Sequence, residues 1–192
     1  MKVKLFCLYA FMFGVFLSSW SFYNVYLIPV QQKTNAEVEK NEILRRRIRD
    51  LKQQMSRLKH IRQQQVTWTS RAVLSETKRP IEMLYVATVI RNRVENRWRG
   101  HSTYKGVVLD PYQFSAFNTE NKYEHLTFEE AKTVAWKISD YVLSRHRHEL
   151  PFSRDVTHFY SPRSMRGSPM WVSAMHEEKI DIISNNRFRF YK

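Results

Sequence analysis

Glu76 is the residue whose type and setting first suggest chemistry. It closes the run 70–76 and precedes a short basic turn, Lys78-Arg79-Pro80, after which an apolar segment begins. Cleavage of a glycosidic bond requires a proton on the leaving oxygen, and a carboxylic acid in apolar surroundings can supply it. On this pattern alone, an exposed carboxylate at a helix end is the simpler interpretation of Glu76.

No other carboxylate in the sequence completes a two-acid site. Simple hydrolysis of a glycosidic bond usually requires a second carboxylate as nucleophile or base. Glu82 lies about one helical turn further along, and Asp110 and Glu120 fall in loop-like stretches. The shortage favours chemistry that needs one acid, in which a hydroxyl group of the substrate attacks.

The sequence predicts neither a metal site nor a cofactor. The only cysteine, Cys7, lies in an apolar run, so cysteine-based metal binding and an intramolecular disulfide are excluded. The run His146-Arg147-His148-Glu149 lacks the His-Glu-x-x-His spacing of helical zinc sites. Neither a glycine-rich phosphate loop nor a Gly-x-Ser-x-Gly nucleophile elbow is present in the sequence.

From residue 70 onward, short motifs follow one another in a characteristic order. They are 70–76 with its terminal Glu76, Asn92-Arg93-Val94, Gly106-Val107-Val108, Gln113-Phe114-Ser115, His158-Phe159-Tyr160, Pro169-Met170-Trp171 and Phe190-Tyr191. This ordered set resembles the SleB-type cell wall hydrolases, the family of spore-cortex-lytic enzymes and related phage lysins. The turn after Glu76 is shorter than in that family, and Lys78 and Arg79 stand where a glycine and a second acidic residue are often found.

The resemblance implies an activity and a set of site residues. It implies an enzyme that cleaves the glycan strands of peptidoglycan, with Glu76 as the general acid and base of a lytic transglycosylase. The expected substrate-binding residues are Gln113, Phe114, Ser115, His158, Tyr160 and Trp171. Each also has a purely structural interpretation, because the Gln-Phe-Ser run can be a buried turn and aromatic rings more often pack in a core.

Residues 1–30 are predicted to be a retained inner-membrane anchor. The segment 5–30 has no charged side chain, and about 20 apolar residues suffice to cross a bilayer as a helix. Trp20, Tyr23 and Tyr26 gather near its far end, as in an interfacial aromatic belt. A cleaved signal peptide is the alternative. Basic residues flank both ends, so the cytoplasmic N-terminus and the catalytic domain on the cell-wall side are argued from function.

Residues 31–66 are predicted to form one helical stalk. They contain neither glycine nor proline, and their apolar residues alternate in steps of four and three, which is the spacing of a coiled-coil seam. The seam consists of Leu44, Ile48, Leu51, Met55 and Leu58. It covers about two heptads, so a weak homodimer and a solvated single helix are equally consistent with it.

Residues 67–192 are predicted to be the catalytic domain, mainly α-helical with a few short β-strands, in a lysozyme-like α+β fold. The segment 81–94 is apolar on nearly all sides, which is typical of a buried helix. Thr127 and Glu130 form a capping box for a second helix, which Pro151 is expected to end. Strands are expected near 156–160 and 187–191.

The charge balance favours an anionic partner. The chain has 32 Lys and Arg against 18 Asp and Glu, a formal net charge of +14. A nucleic-acid-binding protein is one alternative, but no helix-turn-helix, RNA-recognition or zinc-finger signature is present. A non-catalytic, spanin-like membrane protein is another, but it would not need a compact C-terminal domain. We therefore expect a wall-degrading enzyme rather than a nucleic-acid partner, with a phage lysis protein as the favoured setting.

Overall fold

The computed structural model describes residues 2–117, 133–178 and 187–192. Contacts divide the chain into two compact units, Met1–Arg57 and Leu58–Lys192. The second unit begins upstream of residue 67 because the preceding helical turns already make tertiary contacts. Arg62 binds the carboxylate of Asp140 at 2.9 Å, and Val66 is fully buried. Glu120 and the predicted capping box at Thr127 and Glu130 lie outside the described residues.

The first unit is helical and apolar at its start. Helix α1 (Lys2–Phe22) is followed by one π-helical turn, Tyr23–Leu27, and by the first residues of α2 (Ile28–Glu76). Large apolar side chains such as Phe16 and Trp20 are exposed here. By length and composition, one helical stretch of the described chain could cross a membrane.

Helix α2 contains the whole predicted stalk, and the seam residues make no core of their own. Leu44, Ile48, Leu51, Met55 and Leu58 each expose between 47% and 69% of their surface. The last turns of α2, within the second unit, bury Ala72 and Val73 completely. Helix α2 ends at Glu76, as the motif 70–76 predicted.

Helix α3 (Pro80–Glu95) lies at the centre of the second unit, in agreement with its all-round apolar sequence. Pro80 occupies the first helical position, where a missing amide hydrogen costs nothing. Val86, Val89 and Ile90 have no exposed surface, and each such side chain contributes about 1.5–3 kcal/mol by burial. Helices α4 (Tyr104–Leu109) and α5 (Val134–Ser144) pack against α3.

Helix α5 ends earlier than the sequence predicted. Its last residue is Ser144, and a 3-10 turn, Arg147–Glu149, follows before Pro151. The guanidinium of Arg91 donates hydrogen bonds to the carbonyl oxygens of Val142 at 2.6 Å and Arg145 at 2.9 Å. This side chain satisfies carbonyl groups that a longer helix would bond internally, so the helix stops without needing the proline.

A small antiparallel sheet completes the second unit. Its strands are β1 (His158–Tyr160), β2 (Glu177–Glu178) and β3 (Arg189–Tyr191), in the order β1-β3-β2. His158 pairs with Tyr191 and Tyr160 pairs with Arg189. Strands β1 and β3 were predicted, whereas β2 is two residues long and has no sequence signal. The fold is thus mainly helical with a few short strands, as expected.

Candidate active site

A cleft of about 640 Å³ opens between the end of α2, the end of α3 and strand β1. Its lining includes Ser75, Glu76, Arg93, Trp98, Arg99, Tyr112, Gln113, His158, Tyr160, Trp171 and Arg187. Five residues predicted from the sequence, namely Glu76, Gln113, His158, Tyr160 and Trp171, therefore face one cavity although they span much of the domain sequence. The cleft is large enough to hold a small molecule or a short segment of an oligosaccharide.

Glu76 occupies the wall of this cleft at the C-terminal end of α2. Its side chain is half-buried, and it is the only carboxylate among the described residues that line the cleft. Its charge acts on Arg93 in the cleft wall and raises the pKa of that guanidinium. Glu76 therefore combines partial burial with access to the cavity, the setting that a proton donor to a bound ligand requires.

The turn after Glu76 is held by a buried carboxylate. Glu82 has no exposed surface and accepts hydrogen bonds from Thr77 Oγ1 at 2.6 Å, Arg79 Nη1 at 2.8 Å and Arg187 Nη2 at 3.0 Å. Arg187 Nη2 also donates to Thr77 Oγ1 at 2.8 Å. The network ties the first residue after Glu76 to α3 and to the chain entering β3, and so fixes where α2 ends.

Glu82 is ionised within this network. Burial acts to raise the pKa of its carboxyl group, but hydrogen bonds from Arg187 and Thr77 and the charge of Arg187 outweigh burial and hold the pKa below its usual value. A carboxylate with this many donors is a structural anion rather than a nucleophile. Asp110 is likewise engaged, by Arg99 at 3.2 Å and His101 at 3.1 Å.

Arg93 is a buried cation in the cleft wall. Only 3% of the residue is exposed, its Nε donates to the carbonyl oxygen of Thr157 at 2.7 Å, and its guanidinium lies 4.4 Å from the centre of the Trp98 ring. Burial and the charge of Arg99 lower the pKa of Arg93 to about 10, partly offset by Asp110 and Glu76. Its Nη1 atom is buried and has no hydrogen-bond partner among the described residues.

An aromatic wall stands on the β1 side of the cleft. The Trp171 ring lies 5.1 Å from His158, 5.8 Å from Tyr160 and 5.3 Å from Tyr191, measured between ring centres. Burial, with the charges of Arg93 and Arg99, lowers the pKa of His158 to about 4, so the ring is neutral at neutral pH. Partly exposed aromatic faces with neutral polar edges suit the face of a sugar ring.

Backbone strain occurs at the cleft. Among the described non-glycine residues, three have positive φ, and Arg99 (φ 50°) and Tyr112 (φ 64°) both line the cavity. Left-handed backbone at such residues costs on the order of 1–3 kcal/mol and is found preferentially at functional sites. The Tyr112 side chain is 87% exposed at the cleft.

The residues of the Gln113-Phe114-Ser115 motif have different environments in the structure. Gln113 lines the cleft, whereas Phe114 has no exposed surface and packs against Phe159, with ring centres 6.3 Å apart. The expectation that Phe114 binds the substrate is therefore corrected, because a ring without exposed surface can only support the site from the core. Ser115 begins the short 3-10 turn Ser115–Phe117, and its side chain is outside the described part.

Several lining residues were not predicted as site residues. Arg93 was noticed only as part of a motif, while Trp98, Arg99, Tyr112 and Arg187 carried no local signal. Positive φ at Arg99 and Tyr112 is invisible in the sequence because neither is glycine or asparagine. Within the described residues, no group of histidine, cysteine and acidic side chains could hold a metal ion.

Comparison with known proteins identifies the family. The fold matches the catalytic domain of the germination-specific lytic transglycosylase SleB from Bacillus anthracis with a TM-score of 0.50 and 19% sequence identity, covering 67% of this chain and 93% of that chain. No curated protein matches the sequence. The cell wall hydrolase family profile matches residues 77–189. The chain therefore belongs to the cell wall hydrolase family.

Proposed function

We propose that this protein cleaves the glycan strands of peptidoglycan as a lytic transglycosylase, with Glu76 as its single general acid and base. The observation that carries the proposal is the cleft itself, where Glu76 is the only carboxylate among the described lining residues. Membership of the cell wall hydrolase family supports a peptidoglycan substrate. The SleB catalytic domain that the fold matches is a lytic transglycosylase, which agrees with this chemistry.

The reaction proceeds in two proton transfers at one carboxyl group. Protonated Glu76 donates its proton to the glycosidic oxygen, the bond from that oxygen to the anomeric carbon breaks, and positive charge develops on the sugar. The resulting Glu76 carboxylate then accepts the proton of a hydroxyl group on the same muramic acid, whose oxygen bonds to the anomeric carbon. The product is an anhydro sugar, Glu76 is again protonated, and no enzyme nucleophile is consumed.

The remaining cleft residues position the glycan. Trp171 is partly exposed and offers a ring face for stacking on sugars, and Gln113 offers an amide that can donate and accept hydrogen bonds. Tyr160 lines the cleft but is only 7% exposed, so it supports the Trp171 ring at an edge-on contact. His158 is neutral and therefore adds no charge next to the developing cation. Burial of the ring, together with the charges of Arg93 and Arg99, lowers the pKa of His158 and keeps the ring neutral.

The setting of the enzyme belongs to the same proposal. The inner-membrane anchor is formed by residues 1–30, and the stalk, with at most weak self-association, by residues 31–66. The catalytic domain, residues 67–192, acts on the wall outside the cytoplasm, as in a phage lysis protein. One apolar helix of sufficient length supports the anchor.

Two experiments test the anchor and its orientation. Extraction of membranes at alkaline pH should leave the chain in the pellet, and protease added to spheroplasts should digest the C-terminal domain. Solubilisation, or full protection, would contradict the anchor or its orientation respectively.

Substitution at Glu76 tests the assigned chemistry. Glu76→Gln keeps the shape of the side chain but cannot donate a proton, so cleavage of purified peptidoglycan should fall by about 10²–10⁴. Glu178→Gln is the matched control, because Glu178 pairs with Lys192 at 2.8 Å and does not line the cleft. Full activity of Glu76→Gln would exclude this residue as the acid.

A further inference from the structure

The charges that line the cleft do not balance in the state in which Glu76 carries a proton. Three arginines, Arg93, Arg99 and Arg187, face one carboxylate in the described lining. Arg99 pairs with Asp110 at 3.2 Å, and Arg187 pairs with Glu82 at 3.0 Å. Arg93 makes no ion pair within the described residues, and its charge is offset only at a distance, by Asp110 and Glu76.

Burial makes the position of Arg93 costly. A buried cation without a close anion loses hydration that its surroundings do not replace. The guanidinium keeps one hydrogen bond, from Nε to Thr157, while Nη1 is buried without an acceptor within the described chain. Contacts with the Trp98, Phe114 and Phe159 rings, at 4.4, 5.8 and 5.8 Å, fix the plane of the group. A held, desolvated guanidinium at a cleft wall is suited to an anionic ligand group.

We propose that the cleft contains a carboxylate-binding position at Arg93, so that the glycan is recognised through a carboxylate which it brings to the site. Arg93 is the primary partner, and Arg99, which is more than half exposed, attracts the anion at the rim. The carboxylate compensates Arg93 when Glu76 holds the proton that it must donate. This inference rests on the proposed glycan substrate and names the group on that substrate which the site selects.

Peptidoglycan offers two sources of such a group. The lactyl substituent of muramic acid ends in a carboxylate when the peptide has been removed, and the stem peptides carry carboxylates of their own. Both present the same planar anion, which a guanidinium binds with charge-assisted hydrogen bonds. Strands with and without peptides separate the two sources.

The experiment measures binding by the full chain in detergent, with Glu76→Gln introduced to prevent turnover. Four ligands are compared: peptide-free and peptide-bearing glycan strands, each untreated or with carboxylates converted to methylamides. We expect untreated strands to bind about ten-fold more tightly than methylamidated strands, the size of one charge-assisted hydrogen bond. If untreated peptide-free strands bind more tightly than methylamidated ones, the lactyl carboxylate is the group that binds Arg93. If this difference is confined to peptide-bearing strands, the carboxylate comes from the stem peptide.

Arg93→Met, added to the same background, should remove this preference, because methionine fills similar space without charge. Lys137→Met is the matched control. It removes one positive charge from α5, outside the cleft lining, and should retain the preference. Measurement at high salt excludes general attraction by the basic surface, which salt screens. Equal binding of untreated and methylamidated strands, or a preference that survives Arg93→Met, would overturn the proposal.

A second readout needs no variant and covers the case in which Arg93→Met does not fold. The wild-type chain should cleave untreated strands faster than methylamidated strands. Cleavage of both at one rate overturns the carboxylate position while the proposed activity stands. Cleavage of neither, together with tighter binding of untreated than of methylamidated strands, overturns the activity while the carboxylate position stands.

Discussion

At the scale of the residue, the charged neighbours of Glu76 and His158 determine the electrostatics of the cleft. The charge of Glu76 raises the pKa of buried Arg93, so the two groups interact electrostatically across the cleft wall. In the proposed mechanism, a carboxylate of the ligand compensates Arg93 while Glu76 holds its proton.

His158 gives a prediction about pH. Its folded-state pKa of about 4 lies below the ordinary histidine value of 6.5. Between these two pH values, the unfolded chain therefore binds a proton at His158 that the folded chain does not bind. Stability due to neutral His158 is therefore complete above about pH 6.5 and is lost as pH falls toward 4. The partly exposed ring is screened, so we expect a loss on the order of 1 kcal/mol.

Thermal denaturation at neutral and acidic pH measures this contribution. His158→Gln should lose less stability than wild type on acidification, because glutamine has no proton to take up. His176→Gln, an exposed histidine outside the cleft lining, controls for the loss of an imidazole elsewhere. Identical pH slopes for His158→Gln and wild type would refute the assignment.

At the scale of the element, the ends of helices position the candidate acid Glu76 at the cleft. Helix α2 stops at Glu76 and α3 starts at Pro80, and Glu82 joins the intervening turn to Arg187. Similarly, Asn92 Nδ2 donates to the carbonyl oxygens of Ser153 at 2.8 Å and Val156 at 2.7 Å. One polar residue on α3 thus secures the turn behind Glu76, and another secures the chain that enters β1.

Glu82→Gln should damage both stability and turnover. The change leaves the paired arginines without a carboxylate and costs about 3 kcal/mol, as removal of one partner from a buried ion pair does. Because the turn after Glu76 loosens, kcat should fall while KM changes little. Glu178→Gln, which breaks a partly exposed pair with Lys192, should cost under about 1 kcal/mol. Equal stability of the two variants would show that Glu82 does not hold the turn.

The stalk gives a prediction about self-association. One seam position is occupied by Leu44, Leu51 and Leu58, and the other by Ile48 and Met55. This pattern favours a parallel coiled coil of two helices. The flanking positions, however, carry Arg45, Arg47, Lys52 and Lys59, so a homodimer would bring like charges together. We expect a peptide of residues 35–65 to sediment as a monomer at low salt and to associate weakly as salt screens the repulsion.

Charge reversal at one flanking position tests this account of the stalk. Arg47→Glu places an acid opposite Lys52 of the second helix and should strengthen association at low salt. Arg49→Glu makes the same change in net charge at a position that points away from the seam, and should not. A tight dimer of the unaltered peptide at low salt would contradict the prediction.

The sequence predicted some features and missed others for identifiable reasons. The buried helix, the end of α2 at Glu76 and strands β1 and β3 follow from apolar periodicity, a proline and β-branched or aromatic runs. The burial of Phe114 could not be predicted from the sequence, because a phenylalanine in a polar motif can equally pack inward or face a ligand. The roles of Glu82 and Arg93 depend on partners more than 60 positions away, Arg187 and Thr157, and local patterns do not contain that information.

At the scale of the whole molecule, the proposed site of action between membrane and wall is supported by an apolar N-terminal helix and a strongly basic chain. The net charge of +14 favours retention on anionic polymers. Wall binding should therefore weaken steeply with salt, whereas cleavage by bound enzyme should depend on Glu76. Pelleting the full chain with purified wall at rising salt measures the first property. Binding that does not respond to salt would remove the assigned role of the basic surface.

In the proposed mechanism, one carboxyl group cleaves the glycan without a water nucleophile. Digestion of purified peptidoglycan by the full chain, in isotopically labelled water, tests it when the products are weighed by mass spectrometry. We expect anhydro-muropeptides without label from the unaltered chain, and none from Glu76→Gln. Labelled products with reducing ends would show hydrolysis and contradict the one-acid mechanism, and no product from a demonstrably folded chain would contradict the activity itself.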